Sequence, residues 1–297
     1  FREALQSWEQ ALTIYREIGY CKGEAGSLGN LGLVCNSLGQ YDKAIEFHEQ
    51  SLEIEREIGD RDGEAASLCN LGIAYQSLGQ YHRAIKFYEQ SLEISRKTGH
   101  RQWEANALNN LGIAYDSLGQ YDKAIEFNQL SLKISLEIGD RNGEATSLNN
   151  LGVNYQSLGQ FHRAIEFHQQ SLKIELEVAN RLGKANSLGN LGRIYYHISN
   201  GLRMRYKSIP KILAFTLKKI FIIFDNYCLE QAESQLRTST EIRETMRSEL
   251  VNNDHKVSFF ETQVSAYHLL QQVLVARSQF NEALEISEMS RTRAFVE

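Results

Sequence analysis

The apolar residues of the first complete segment fall at Leu28, Leu31, Cys35 and Leu38, separated by three, four and three positions. That spacing draws one stripe along an α-helix and predicts a helix over Glu24–Ser37. Gly39 follows as a stop, because glycine readily adopts the left-handed conformation that closes a helix. A second helix is predicted over Tyr41–Ile58, about 27 Å long at ~1.5 Å per residue. Its apolar set (Tyr41, Ala44, Ile45, Phe47, Leu52, Ile54, Ile58) spans too wide an arc for one partner, so this helix must pack between two neighbours. Gly59 ends it, and Asp60 is placed to cap the next helix across the connection GDRDGEA.

The pattern then restarts. Asn109–Phe127 reads NNLGIAYDSLGQYDKAIEF; forty residues earlier stands CNLGIAYQSLGQYHRAIKF, and forty later NNLGVNYQSLGQFHRAIEF. Gly32, Gly72, Gly112, Gly152 and Gly192 hold mid-helix positions, where glycine costs roughly 0.5–1 kcal/mol against alanine. Close approach of the second helix is the expected compensation. Ala44, Ala84, Ala124 and Ala164 are its expected small partners, and Tyr75, Tyr115, Tyr155 and Tyr195 fill the space one turn on. A lone hairpin cannot bury the outer face of its second helix, whereas stacked hairpins can. Residues 1–19 align with a second helix, four complete repeats span 24–179, and a fifth first helix falls near Lys184–Ile198. The fold class is therefore all-α, an α-solenoid of helix hairpins.

Leu31-Gly32, Gly39, Tyr41, Ala44, Tyr75 and the hairpin length resemble the tetratricopeptide repeat. The forty-residue period and the GDRDGEA loop resemble its longer variant, seen in kinesin light chains and Pins-type scaffolds. Two departures stand out. No Pro closes the second helix, and Ser51, Ser91, Ser131 and Ser171 replace the usual small Ala.

The resemblance implies a right-handed superhelix whose first helices line a concave groove. It implies a non-catalytic scaffold with a protein or extended peptide as partner. The groove position before Leu-Gly is Asn30, Asn70, Asn110, Asn150 and Asn190. An Asn amide both donates and accepts hydrogen bonds, so a ladder of them suits a peptide backbone of any sequence. Its neighbours vary: Cys69, Asn109 and Asn149 on one side, Gln76, Asp116 and Gln156 on the other. The alternative reading is that these asparagines bridge adjacent helices, or descend from one duplicated repeat. Arg61, Arg101, Arg141 and Arg181 recur before the first helices. They either hold an acidic ligand or pair with loop carboxylates such as Asp60 and Asp140. His82 and His162 are expected in solvent, and His48 and His168 as packing variants.

Composition narrows the picture. A net charge of −5 with 23% charged residues over 297 positions gives no basic footprint for nucleic acid. Four cysteines lack CxxC spacing or a histidine at metal spacing, so buried thiols in a reduced, cytoplasmic protein are expected, with neither metal nor cofactor. No Ser/His/Asp, paired-carboxylate or phosphate-loop constellation marks an enzyme. No apolar run reaches the ~18 residues of a spanning helix, so no membrane role is expected. An N-terminal second helix without its own first helix exposes an apolar face, which would favour self-association.

Residues 1–200 thus form the expected repeat array. Residues 201–228 carry six Lys/Arg and one Asp and break the register. They read as an irregular basic insertion, an amphipathic surface segment, a degenerate repeat or a coding lesion. Ala232 then takes the place that position 204 would hold, and residues 229–297 return to helical repeats. The run from Ala232 to Glu297 resembles the segment that joins such arrays to a CHAT domain, a caspase-like module common in cyanobacteria. This resemblance implies the regulatory arm of a peptidase; a stand-alone sensor of short signalling peptides is the other reading. No residue of the CHAT His/Cys dyad can be placed in this chain.

Overall fold

The computed structural model describes residues 2–208, 211–249 and 264–295. Thirteen α-helices and no strand occur among them. The chain divides into two compact bodies, residues 1–154 and 155–297. The first contains α1 (Arg2–Glu17), α2 (Cys21–Ser37), α3 (Tyr41–Ile58), α4 (Arg61–Ser77), α5 (Tyr81–Thr98), α6 (Arg101–Ser117), α7 (Tyr121–Ile138) and most of α8 (Arg141–Ser157). The second contains α9 (Phe161–Glu177), α10 (Arg181–Ser208), α11 (Lys211–Ser248), α12 (Val264–Ala276) and α13 (Phe280–Phe295).

The punctuation follows glycine and aspartate chemistry. Gly39, Gly59, Gly79, Gly99, Gly119 and Gly139 all close helices at φ near +70°, the left-handed region that glycine enters without strain. The connection between repeats is shorter than the seven residues GDRDGEA. Only Gly59 and Asp60 lie between α3 and α4, because Asp60 accepts the Gly63 amide (3.0 Å) and starts the helix at Arg61. Asp140 caps α8 in the same way through Gly143 (3.0 Å).

In the first body the hairpins stack in chain order. Leu28, Leu31, Leu68, Leu71, Leu108 and Leu111 are fully buried, each worth ~1.5–3 kcal/mol of transfer free energy. The mid-helix glycines do face the second helix, but their partners differ from the alanines expected. A Cβ on Gly72 would stand 2.3 Å from Cε1 of Tyr88; on Gly32, 2.4 Å from Cε1 of His48; on Gly112, 2.3 Å from Oδ1 of Asn128. The residue one turn beyond each alanine projects into the glycine notch, while Ala44, Ala84 and Ala124 pack beside it, also buried. His48 is thus a core residue, and burial holds its imidazole well below the usual range, at about 4. His82 and His162 are exposed, as expected.

The serines that replace alanine have a structural use. The Ser51, Ser91 and Ser131 hydroxyls donate to the carbonyls of Ala25 (2.8 Å), Ala65 (2.7 Å) and Ala105 (2.9 Å) on the preceding helix. Ser67 then donates to Ser51 (3.3 Å) and Ser147 to Ser131 (3.0 Å), so each relay ties three successive helices.

In the second body the same register holds across the break. A Cβ on Gly192 would meet Leu236 at 2.6 Å, and the Ser239 hydroxyl donates to the Ala185 carbonyl (2.8 Å), repeating the earlier pattern with Ala232 buried between them. Residues 201–208 continue α10 and 211–228 begin α11, so the segment expected to be irregular is helical over its described residues. Asp225, its lone acid, pairs with Arg203 (2.8 Å) and accepts from Ser199, pinning the two helices together. Pro210 lies outside the described residues. Leu229, Leu236, Leu270, Val273 and Leu274 form the core against which α12 and α13 fold.

Candidate binding groove

Curvature of the first body follows from which helices meet. The first helix of each hairpin touches its counterpart in the next, α2 with α4 and α4 with α6. The second helices make no comparable contact among the described residues. Instead a gap of about 510 Å³ opens between α3 and α5, floored by Leu52, Leu71 and Phe87. The surface formed by α2, α4, α6 and α8 is therefore the inner, concave one.

Asn30, Asn70, Asn110 and Asn150 lie on these four helices, all half-buried. Two of them are already committed. The Asn110 amide donates to the Cys69 thiol (3.1 Å), and the Asn150 amide donates to Oδ1 of Asn109 (2.8 Å). Each spans from one inner helix to the one before it, which is the bridging role. Forty-one residues before Asn70 the corresponding position is Gly29, which has no side chain to receive an amide. Asn30 and Asn70 make no side-chain hydrogen bond among the described residues. The outer row of expected groove residues is also partly engaged. Gln76 accepts from the Tyr88 hydroxyl (3.2 Å), and Asp116 accepts from Asn154 (2.8 Å), which in turn accepts from Asn128 (2.7 Å). Asn149 also lies on α8. Asn190, on α10, and Gln156 belong to the second body.

Three residues on from each asparagine, Leu33, Ile73, Ile113 and Val153 form an apolar row on the same helix faces. Leu33 is 44% exposed and the others are half-buried. Sequence reasoning passed over this row, although its three-residue offset from the asparagines was the available signal. The groove thus combines amides with aliphatic side chains and carries little charge. Burial pushes the Cys69 thiol up to about 11, so it remains a neutral acceptor.

The recurrent arginines lie elsewhere. Their partners are glutamates rather than Asp60 and Asp140, which act as caps. Arg61 pairs with Glu64, whose carboxylate also receives Arg56 (2.9 Å); Glu104 likewise receives Arg96 (3.0 Å) and Arg101. Arg181 pairs with Glu249 (2.7 Å). A further repeated unit escaped sequence reasoning. Tyr75 stacks on Phe87 and Tyr115 on Phe127 (both 5.3 Å), with Arg83 and Lys123 over the tyrosine faces at 5.3 and 5.0 Å. Among the described residues no group of three His, Cys, Asp or Glu is arranged to hold a metal, and no helix is long and apolar enough to cross a membrane.

Comparisons with known proteins agree with this architecture. The mouse and human Tetratricopeptide repeat protein 28 are 43% identical over 70 residues, 23% of this chain and 3% of those proteins. The chain therefore matches only a small fraction of the length of these curated relatives. Among solved structures, BtubC (BKLC) from P. vanneervenii superposes with a TM-score of 0.62 at 20% identity, covering 84% of this chain and 94% of that one. The apo form of RapI gives 0.60 at 15% identity over 91% and 83%. A signal transduction ATPase with a tetratricopeptide repeat sensor from Pyrococcus horikoshii gives 0.57 at 17% identity over 93% and 37%. At these identities the likeness is one of fold. A sequence profile of the tetratricopeptide repeat matches at residues 1–57, 23–97, 63–137, 103–177 and 143–200, which together span 1–200, and the chain belongs to the tetratricopeptide repeat family.

Proposed function

We propose that the inner face of α2, α4, α6 and α8 binds an extended segment of a partner protein, and that the chain acts as a non-catalytic scaffold. The observation that carries this reading is the pairing of two parallel rows on that face. Half-buried asparagines retain free amide groups, and beside them runs Leu33, Ile73, Ile113 and Val153. The amides suit a peptide backbone and the aliphatic row its apolar side chains. Asn30 and Asn70 are the best-placed backbone contacts, since neither is spent on a neighbour. Asn110 and Asn150 keep an acceptor oxygen each while bridging. Because the asparagine and aliphatic rows are uncharged, their share of the binding should depend weakly on salt.

The test is a peptide selected by display on the full chain, with its affinity measured by calorimetry. Asn30→Ala with Asn70→Ala should weaken binding at least tenfold and leave the melting temperature within a degree or two. Unchanged affinity in that double variant sinks the reading. Two narrower roles use the same groove: the regulatory arm of a CHAT-type peptidase and a stand-alone sensor of short signalling peptides. The first is supported by the resemblance of residues 232–297 to a pre-CHAT segment. An open frame from codon 297 into a caspase-like domain would favour it, and a stop would remove it.

A further inference from the structure

Each repeat of the first body has an equivalent corner, where the end of a second helix meets the start of the next first helix. Where α1 meets α2, Tyr15 fills the corner at Gly23, a Cβ there standing 2.8 Å from its ring; where α3 meets α4, Glu55 lies against Gly63, a Cβ there standing 3.0 Å from the Glu55 carboxyl carbon. Where α5 meets α6 the pair is Ser95 and Trp103, and Ser95 turns its hydroxyl back to the Ser91 carbonyl (2.8 Å). Where α7 meets α8 both residues are small, Ser135 and Gly143. A pocket of about 350 Å³ opens there, bounded also by Gln102, Asn109 and Asp140. Ser135 is 1% exposed, and its hydroxyl has no partner among the described residues. It is aimed into the corner, because a Cβ on Gly143 would lie 2.6 Å from its Oγ. A buried hydroxyl left unpaired costs ~1–3 kcal/mol, which a ligand group would recover.

Asp140 is the one formally charged residue lining this pocket. Its oxygens accept from the Gly143 amide (3.0 Å) and the Gln102 amide (2.7 Å), and each has a lone pair left. Asn109 joins the pocket to the ladder, since its Oδ1 receives Asn150 (2.8 Å). The nearby cations are neutralised, Arg101 by Glu104 and Glu137, Arg141 by Glu144. A negatively charged, acceptor-rich pocket fits a group that only donates. Guanidinium has five N–H donors in a planar fork and no acceptor, and it pairs with carboxylate through two bonds. We propose that this pocket is a side-chain subsite of the groove and takes the guanidinium of an arginine in the bound segment. In calling it a subsite the proposal rests on the groove reading.

The experiment is an amide NMR titration of the full chain with N-acetyl-arginine methylamide, and with the corresponding glutamate derivative. The arginine probe should give saturable shifts at Gly143 and at the side-chain amides of Gln102 and Asn109. The glutamate probe should bind roughly tenfold weaker or worse, because Asp140 repels it. Ser135→Glu and Gly143→Trp rebuild the two corner pairings present elsewhere in this chain, so both should fold, which a thermal melt checks. Each should abolish the arginine response. Equal response to both probes, no saturable shift with arginine, or arginine shifts that persist in both folded variants would each overturn the subsite. A saturable arginine response in a chain whose display-selected peptide ignores Asn30 and Asn70 would remove the groove and keep the pocket. Loss of the pocket alone would leave the peptide result untouched.

Discussion

Replacing Gly72 with alanine sets two forces of opposite sign against each other. An alanine in a helix interior is ordinarily worth about 0.5–1 kcal/mol more than glycine. At Gly72 the added methyl would stand 2.3 Å from Cε1 and 2.6 Å from Cδ1 of Tyr88. That ring cannot swing away cheaply: Tyr88 is fully buried and its hydroxyl is held by Gln76 at 3.2 Å. Overpacking of this kind costs ~1–3 kcal/mol, so Gly72→Ala should be a net loss of up to roughly 2.5 kcal/mol. Gly26 supplies the control within the same body. It is also mid-helix, but a Cβ there meets nothing within 4 Å, so Gly26→Ala should gain about 0.5–1 kcal/mol. Equilibrium urea denaturation followed by circular dichroism reads both, comparing midpoints with the slope checked for constancy. Adding Tyr88→Ala should turn Gly72→Ala from harmful to neutral or better, since the clash is gone. If Gly72→Ala and Gly26→Ala shift the midpoint in the same direction, the notch account of these glycines is wrong.

Three other outcomes follow from named contacts. Ala179 closes α9 at φ 55°, where earlier repeats use glycine, so Ala179→Gly should stabilise the chain by about 0.5–1 kcal/mol in the same urea assay. Glu64 is buried and receives both Arg56 and Arg61, so Glu64→Gln should cost about 1–3 kcal/mol, the value discounted because both arginines are half-exposed. Burial lowers the folded-state His48 imidazole to about 4, so between pH 6.5 and 4 the unfolded chain binds more protons and stability falls as pH falls. His48→Asn, the residue found at the equivalent Asn128, should remove on the order of 1–3 kcal/mol of that loss; parallel pH profiles for the two proteins would contradict it.

The hairpins and their order were legible because each rests on a period or a local turn, and the inner face because the family resemblance implies it. The 3-4-3 spacing of Leu28, Leu31, Cys35 and Leu38 made a helix, and Gly39 and Gly59 closed helices as expected. The register at Ala232 survived a break in the pattern, because the glycine notch and the serine relay on either side are fixed by packing. Less legible was anything that depends on which atoms meet across helices. The partner of Gly72 is Tyr88 rather than Ala84, a difference of one helical turn that periodicity cannot resolve. The arginines pair with Glu64 and Glu104, while Asp60 accepts the Gly63 amide and pairs with Lys22 (2.9 Å), a division of partners that spacing along the sequence does not show. The contacts of the asparagine row also depend on what stands across each step. Asn110 bridges to Cys69 and Asn150 to Asn109, whereas the corresponding position before Asn70 is Gly29, and the sequence shows that difference once the forty-one-residue step is known.

That step also explains how one repeated sentence produces a surface that is not repeated. Leucines, glycine caps and serine relays recur with little change and set the helix spacing. The residues that differ are the ones facing each other at three places: the notch, the ladder and the corner. At the notch, histidine, tyrosine and asparagine fill the same space above an invariant glycine. At the corner, a large residue on one side meets a small one on the other, Glu55 with Gly63 and Ser95 with Trp103. Ser135 with Gly143 breaks the rule by leaving both sides small, while the Ser131 to Ala105 and Ser147 to Ser131 bonds tie the three helices there as their equivalents do at Ser51. A space open at this corner and occupied at Gly23 and Gly63, with a buried hydroxyl facing it, is the observation on which the subsite is proposed. On that proposal the individuality of an otherwise periodic surface is concentrated at the junction of α6, α7 and α8.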